Sequence, residues 1–269
     1  MFSQRIDHTI NSGWFFQQGE ITENKDFTNL ESWEQINLPH TWNEKDASDE
    51  ISGFYKGTGW YAKTIHIPSE WKNKRVYLHF EGANQETEVY LNHQEVGHHA
   101  GGYTDFRFDI TPYINVGEKN LLTVKGSNAH NDNIPPLGAD FTFYGGIYRN
   151  VRIIATEAVR FDMDNHASDG VFIRTENVSH DHAAISLSGK LSNANNKYQA
   201  VLLETIITDH GQNIIAFNAQ QLNLARQYGP LRAVEYSFRV YAEDNKGIQL
   251  DLSPIEGKTI LSGIRVQPL

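Results

Sequence analysis

Short runs in which apolar and polar residues alternate recur along the whole chain. In the run 104–110, Phe106, Phe108 and Ile110 fall on one face, and the charged residues between them fall on the other. This period of two is the pattern of a half-buried β-strand. It therefore predicts strands over 75–80, 104–110, 234–240 and 248–252. Clusters of Gly, Asn, Asp and Glu at 81–84, 116–120 and 209–211 predict turns between the runs.

Helical patterns are scarce in the sequence. Residues 218–227 predict one short helix, and Leu30 to Gln35 predict a single helical turn. The length would permit a (β/α)8 barrel, but strands and helices do not alternate regularly along the chain. The predicted fold class is therefore all-β, built from antiparallel sandwiches.

The 269 residues divide by composition near residue 156. All five tryptophans lie in residues 1–155, whereas residues 156–269 have none and are richer in Ile, Leu, Val and Asn. A chain of this length is also expected to form two domains. We predict a jelly-roll β-sandwich over 1–155, and an immunoglobulin-like β-sandwich with roughly seven strands over 156–269.

Charge and composition narrow the function classes. The net charge of −10 argues against a nucleic-acid partner and against docking on an anionic membrane. Cysteine is absent, so a disulfide framework, a thiolate nucleophile and a Cys-based zinc site are excluded. No apolar run has the length of a membrane span, and the N-terminus lacks a signal-peptide pattern. A cytoplasmic location is favoured if Met1 is native, and the periplasm or secretion if a signal peptide has been removed.

Candidate catalytic groups are few. Asn43-Glu44 resembles an acid/base pair but follows a loop pattern, so we interpret it as structural. The twelve histidines show no metal-binding spacing, and no phosphate-binding loop or serine elbow occurs. The pairs Gly101-Gly102 and Gly145-Gly146 predict tight turns or close backbone approaches, and Tyr103 is expected to pack in the core.

Two stretches, 53–61 and 140–149, combine turn glycines with aromatic rings and a charged residue. Sugars present apolar C–H faces beside hydroxyl groups, so an aromatic surface with polar neighbours can bind them. Composition alone favours core packing for most of these rings.

The order of motifs along the first 150 residues resembles the sugar-binding domain of glycoside hydrolase family 2, the family of β-galactosidases, β-glucuronidases and β-mannosidases. Each motif is weakly specific by itself, and the set in this order is specific. The matching stretches are 11–16, 38–43, 55–61, 80–83, 89–92, 96–103, 106–111 and 140–149. In the second domain, Ser262-Gly263-Ile264-Arg265 resembles the Gly-apolar-Arg segment that closes the family's sandwich, although the family's preceding tryptophan is missing.

The resemblance implies a jelly roll, an immunoglobulin-like sandwich and then a (β/α)8 barrel that carries both catalytic glutamates of a retaining mechanism. We expect the chain to end where the barrel begins, so it has no catalytic residue and no turnover by itself. Two residues match substrate-contacting positions of the family, Asp140 and Lys56. No cofactor is expected, although in some relatives the carboxylate at the Asp140 position helps to hold a sodium ion.

Three hypotheses follow for the function. The first is an accessory part of a β-galactosidase-like enzyme whose partners are its own barrel and a galactoside; a β-glucuronidase or β-mannosidase parent is the alternative. The second is a free-standing carbohydrate-binding module. The third is a part of an assembly that forms homo-oligomers through surfaces meant for the barrel. The first agrees best with the motifs.

Overall fold

The computed structural model describes residues 5–21, 27, 29–46, 53–138, 141–176, 182–195, 200–208, 214–223, 234–243, 248–251 and 264–266. Within these residues the regular structure consists of β-strands and two short 3₁₀ turns, Leu30–Ser32 and Ser69–Trp71, with no α-helix. The all-β class is confirmed, as a jelly-roll sandwich followed by an immunoglobulin-like sandwich. None of the described residues form a helix long and apolar enough to cross a membrane.

The strands are numbered in chain order. They are β1 (Ile6–Thr9), β2 (Trp14–Gln18), β3 (Glu34–Ile36), β4 (Thr58–His66), β5 (Arg75–Phe80), β6 (Glu86–Leu91), β7 (Gln94–Ala100), β8 (Phe106–Asp109), β9 (Lys119–Ser127), β10 (Val151–Thr156), β11 (Val159–Phe161), β12 (Val171–Glu176), β13 (His182–Asn193), β14 (Ala200–Thr208), β15 (Ile214–Asn223), β16 (Val234–Glu243), β17 (Ile248–Asp251) and β18 (Ile264–Val266).

The chain divides into two compact units, and the first is Asp7–Ala155. Its strands form a six-stranded sheet in the order β3-β2-β4-β9-β6-β7 and a four-stranded sheet in the order β1-β10-β5-β8. The longest ladder joins β4 to β9 in antiparallel register, from Thr58 opposite Ser127 to His66 opposite Lys119. This ladder matters for the site because its Thr58–Ser127 end borders the loops described below.

Alternation along the strands predicts the core of this unit well. Val76, Leu78 and Phe80 on β5 are fully buried, and Phe106 and Ile110 are buried around β8. Tyr77 is also fully buried, so β5 is covered on both faces, which alternation alone does not predict. The predicted strands over 75–80 and 104–110 are thus confirmed.

The hairpin between β6 and β7 has a two-residue loop. Asn92 and His93 both have positive φ, 52° and 64°. Two central residues with positive φ define the type I′ turn, whose twist matches that of the flanking strands. The Asn92 side chain donates hydrogen bonds to Tyr113 O at 2.9 Å and to Asn120 Oδ1 at 2.8 Å, which fixes the hairpin against the next loop.

The second unit is Thr156–Leu269 together with Met1–Ile6. In one of its sheets β13 pairs with β16 along one edge and with β11 and β12 along the other. The other sheet has the order β15-β14-β17-β18. Strands β16 and β17 confirm the alternating runs at 234–240 and 248–252, and the predicted turn at 209–211 lies outside the described residues.

The prediction of a short helix over 218–227 is wrong for residues 218–223, the part that the structure describes. Residues 218–223 belong to β15, which pairs antiparallel with β14 from Ala200 opposite Asn223 to Thr208 opposite Ile214. The Ala, Gln and Leu residues there are good helix formers, but helix propensity is a small energy that pairing with a neighbouring strand overrides. Residues 224–227 lie outside the described residues.

Two smaller predictions have mixed outcomes. The helical turn expected over 30–35 exists as the 3₁₀ turn Leu30–Ser32, and Glu34–Ile36 already form β3. The expectation that Tyr103 packs in the core is wrong, because 59% of Tyr103 is exposed. The neighbouring Gly102 is buried where an added Cβ would clash with the Asn84 side chain, so the close approach expected of the glycine pair is present there.

Candidate functional site

A groove in the first unit is lined by loops at the end of the β4–β9 ladder. Its cavity volume is about 130 Å³, and both apolar and polar side chains face it. The lining residues come from three stretches of the sequence, around residues 54–56, 128–138 and 141–143, and from Gln85. Loops held by a rigid sandwich commonly carry binding sites.

Lys56, one of the two predicted site residues, lies in this groove. Its side chain is exposed, and its ammonium lies 4.8 Å from the centre of the Phe54 ring, a cation–π geometry. The other, Asp140, lies outside the described residues. The described residues nearest to it in sequence, Gly138 and Phe141, both line the groove.

The polar lining offers hydrogen-bond donors and acceptors at the rim. His130 pairs with Asp132 at 2.8 Å, and both side chains are largely exposed. Asn131 donates to Glu86 Oε1 at 3.1 Å, and Gln85 donates to Ala129 O at 2.5 Å. Together with Lys56, these groups can donate to and accept from hydroxyl groups.

The apolar lining is unusually exposed for large side chains. Leu137 is 58% exposed and Phe141 is 57% exposed, while Phe141 contacts Phe143 edge-to-face at 5.1 Å between ring centres. Apolar surface beside a few polar groups is typical of small-molecule sites. The arrangement suits one face of a sugar ring.

An aromatic cluster of the core, formed by Phe16, His40, Trp42 and Tyr61, packs against Gly145, two residues after the lining residue Phe143. Phe16 stacks on Trp42 with 5.9 Å between ring centres, and His40 Nδ1 lies 2.8 Å from the Tyr61 hydroxyl. Burial lowers the pKa of His40 and raises the pKa of Tyr61, so both are neutral near pH 7. The predicted close approach at Gly145-Gly146 is confirmed, since a Cβ on Gly145 would overlap the Trp42 ring.

The Asn43-Glu44 pair has the structural character that the sequence indicated. Asn43 is fully buried and bonded to neighbouring loops, whereas Glu44 is exposed. Among the residues that the structure describes, no three or more His, Asp or Glu side chains are grouped to hold a metal ion. The sodium ligand implied by the resemblance, Asp140, is not among these residues.

Sequence reasoning missed Gln85, Asn128 and Asn131 as lining residues. The only signal was the polar run 127–133, whose Ser, Asn and Asp residues predict a loop without telling which other loops it meets.

The fold and the groove define a jelly-roll module with a groove between its loops. Comparison with known proteins gives the family. Residues 36–157 match the family model "Glycosyl hydrolases family 2, sugar binding domain". Residues 36–157 therefore carry the sugar-binding domain of glycosyl hydrolase family 2.

Relatives with two different names cover most of the chain. A β-glucuronidase from Bacteroides fragilis is 34% identical over 224 residues, 83% of this chain and 31% of that protein. A β-galactosidase from Thermoanaerobacterium thermosulfurigenes is 29% identical over 225 residues, 79% of this chain and 31% of that protein. The crystal structure of a β-glucuronidase from Bacteroides uniformis matches with a TM-score of 0.88 and 31% identity, over 97% of this chain and 32% of that chain. The chain thus spans about a third of the length of these relatives.

Proposed function

We propose that this chain is a non-catalytic part of a retaining β-glycosidase. In this role it supports a catalytic barrel and contributes the groove around Lys56 to the sugar subsite. The observation that carries the proposal is the meeting of two distant stretches in one groove. Lys56 comes from one stretch, and Gly138 and Phe141, on either side of Asp140, come from the other.

Chemistry supports a partial site rather than a complete one. Retaining hydrolysis needs two carboxyl groups about 5–5.5 Å apart across the scissile bond. The described groove lining holds lysine, histidine, amide and apolar side chains and includes no Asp or Glu. Its role is therefore to bind and orient, and the acid and the nucleophile come from the barrel.

The proposed substrate is a β-galactoside, as the motif resemblance implies. A β-glucuronide is the second candidate, and two observations favour it. The Bacteroides fragilis relative bears that name, and the Lys56 ammonium in the groove could form a charge-assisted hydrogen bond with a uronate carboxylate.

The test is the variant Lys56→Ala, made in the longest polypeptide that the gene encodes around these residues. We expect KM for the 4-nitrophenyl β-glycoside to rise on the order of tenfold with kcat nearly unchanged, since a hydrogen bond to a charged group contributes roughly 1.5–3 kcal/mol. Steady-state kinetics on the β-galactoside and the β-glucuronide measure this. A larger rise in KM for the β-glucuronide than for the β-galactoside would assign the uronate carboxylate as the group that Lys56 binds.

The matched control is Lys72→Ala, because Lys72 is an exposed lysine outside the groove. Its kinetics should equal those of the unchanged enzyme. If Lys56→Ala behaves like Lys72→Ala on both substrates, the groove does not contact the sugar and the proposal is wrong.

A further inference from the structure

Two buried asparagines lie directly behind the groove. Asn43 is fully buried, and Asn128 is 4% exposed although it belongs to the groove lining. They are 85 residues apart in sequence, and Asn128 Nδ2 donates to Asn43 Oδ1 at 3.1 Å. Their other contacts run to backbone groups in the two loops that carry Lys56 and Phe143 and to the Asp46 side chain.

Asn128 binds the backbone on both sides of Lys56. Its Oδ1 accepts from the Gly57 N–H at 2.9 Å, and its Nδ2 donates to Tyr55 O at 3.0 Å. The Asn128 backbone N–H also donates to Gly57 O at 3.1 Å. The same Nδ2 lies 3.1 Å from Phe143 O, on the other loop.

Asn43 completes the connection between the loops. Its Oδ1 accepts from the Gly145 N–H at 2.7 Å, and its Nδ2 donates to Tyr55 O at 2.9 Å and to Asp46 Oδ2 at 2.6 Å. Asp46 Oδ2 also accepts from the Tyr55 N–H at 2.8 Å. Both amide side chains therefore use their donors and acceptors on the protein itself.

The Asn43 and Asn128 side chains provide the hydrogen bonds that a neighbouring strand would otherwise make to these two loops. Residues 53–56 and 141–145 form no strand, so their backbone groups depend on side chains for partners. The side-chain amides fix the Cα positions on each side of Lys56 relative to Phe143. Fixing the walls of a site before binding lowers the ordering cost that a ligand must meet.

We propose that Asn128, acting with Asn43, is a positioning residue of the sugar groove. It sets the separation of the Lys56 loop from the Phe143 loop without contacting the sugar itself. The effect on sugar binding rests on the proposed function, whereas the effect on the loops does not.

The chain offers a matched control in Asn120. It is 1% exposed, and its side chain likewise bonds backbone groups, Asn115 N–H and Asn115 O, at 2.7 Å and 2.9 Å. It belongs to β9, whereas Asn128 directly follows the other end of that strand. The two asparagines are thus about 25 Å apart at about 3.3 Å per residue. A loss of stability alone would affect Asn120→Ala and Asn128→Ala alike.

The first measurement is amide hydrogen exchange on the 269-residue chain at the Gly145 N–H. Its acceptor, Asn43, is retained in Asn128→Ala, so only the organisation of the loop changes. We expect exchange at Gly145 to accelerate at least about tenfold in Asn128→Ala and not in Asn120→Ala, because local opening becomes easier. Equal exchange at Gly145 in both variants would overturn the proposal. If Asn128→Ala does not fold, Asn128→Asp takes its place. Asp has the same size as Asn and keeps an acceptor for the Gly57 N–H. The same acceleration of exchange at Gly145 is expected.

The second measurement is steady-state kinetics in the longest polypeptide that contains these residues. Asn128→Ala should raise KM about tenfold with kcat within about twofold, as loss of positioning without loss of chemistry predicts. Asn120→Ala should leave both unchanged. Accelerated exchange with an unchanged KM would support the positioning of the loops and overturn the sugar role of the groove. A fall in kcat together with an unchanged KM would overturn the assignment of Asn128 to binding.

Discussion

The aromatic cluster of the core accommodates a histidine among its side chains. His40 is partly buried, packs against Phe16 at 4.7 Å between ring centres, and shares a hydrogen bond with the Tyr61 hydroxyl. Burial lowers its pKa from the usual 6.5 and outweighs Glu34 and Glu44, which act in the other direction. The folded protein therefore holds His40 neutral at pH values where the unfolded chain begins to protonate it.

This difference predicts how stability changes with pH. Between the lowered pKa of the folded state and 6.5, the unfolded chain binds more protons, so the free energy of unfolding falls as pH falls through that window. His99, whose pKa burial also lowers, contributes with the same sign. Denaturant unfolding between about pH 5 and pH 8 measures the effect. In His40→Gln the free energy of unfolding should depend less steeply on pH than in the unchanged chain. His66→Gln, which alters an exposed histidine, is the control and should keep the original slope. Equal slopes for His40→Gln and the unchanged chain would contradict the account.

At the scale of elements, strand β4 packs against the aromatic cluster through Gly59. A Cβ at this position would lie 2.7 Å from Phe16 and from Trp42, both in the aromatic cluster. Gly59 is therefore required for close packing between the strand and the segment 38–43.

Replacing Gly59 should consequently strain the cluster. We expect Gly59→Ala to lower the free energy of unfolding by about 1–3 kcal/mol, the usual cost of overpacking a core. Gly138→Ala is the control, because nothing lies within 4 Å of its added Cβ, and its effect should stay within about 0.5 kcal/mol. Chemical denaturation compares the two, and equal stabilities would show that the cluster has room for the methyl group.

The elements were largely predictable from the sequence, and the assembly of the groove was not. Period-two alternation predicts β5, β8, β16 and β17 because it reports burial within one strand. The sequence misleads at β15, where it predicts a short helix, because pairing with β14 outweighs the local helix preference. The contact between Asn43 and Asn128 is invisible to any local pattern, because it depends on how two distant loops meet. Lys56 was predicted as a site residue only because its neighbours resemble a family motif.

At the scale of the whole molecule, the function proposed above gives the sandwich one wall of a sugar site and gives the chemistry to another domain. The chain spans about a third of the length of these relatives, and the described groove lining includes no Asp or Glu. The net charge of −10 argues against a polyanionic partner such as nucleic acid.

The central claim is tested most directly by the hydrolysis of 4-nitrophenyl β-galactoside and β-glucuronide by the purified 269-residue chain. The full polypeptide that contains these residues serves as the positive control. The account predicts that the chain alone releases no nitrophenol above the buffer blank, while the full polypeptide turns over at least one of the two substrates. Release by the chain alone that rises in proportion to its concentration and saturates with substrate would contradict the account.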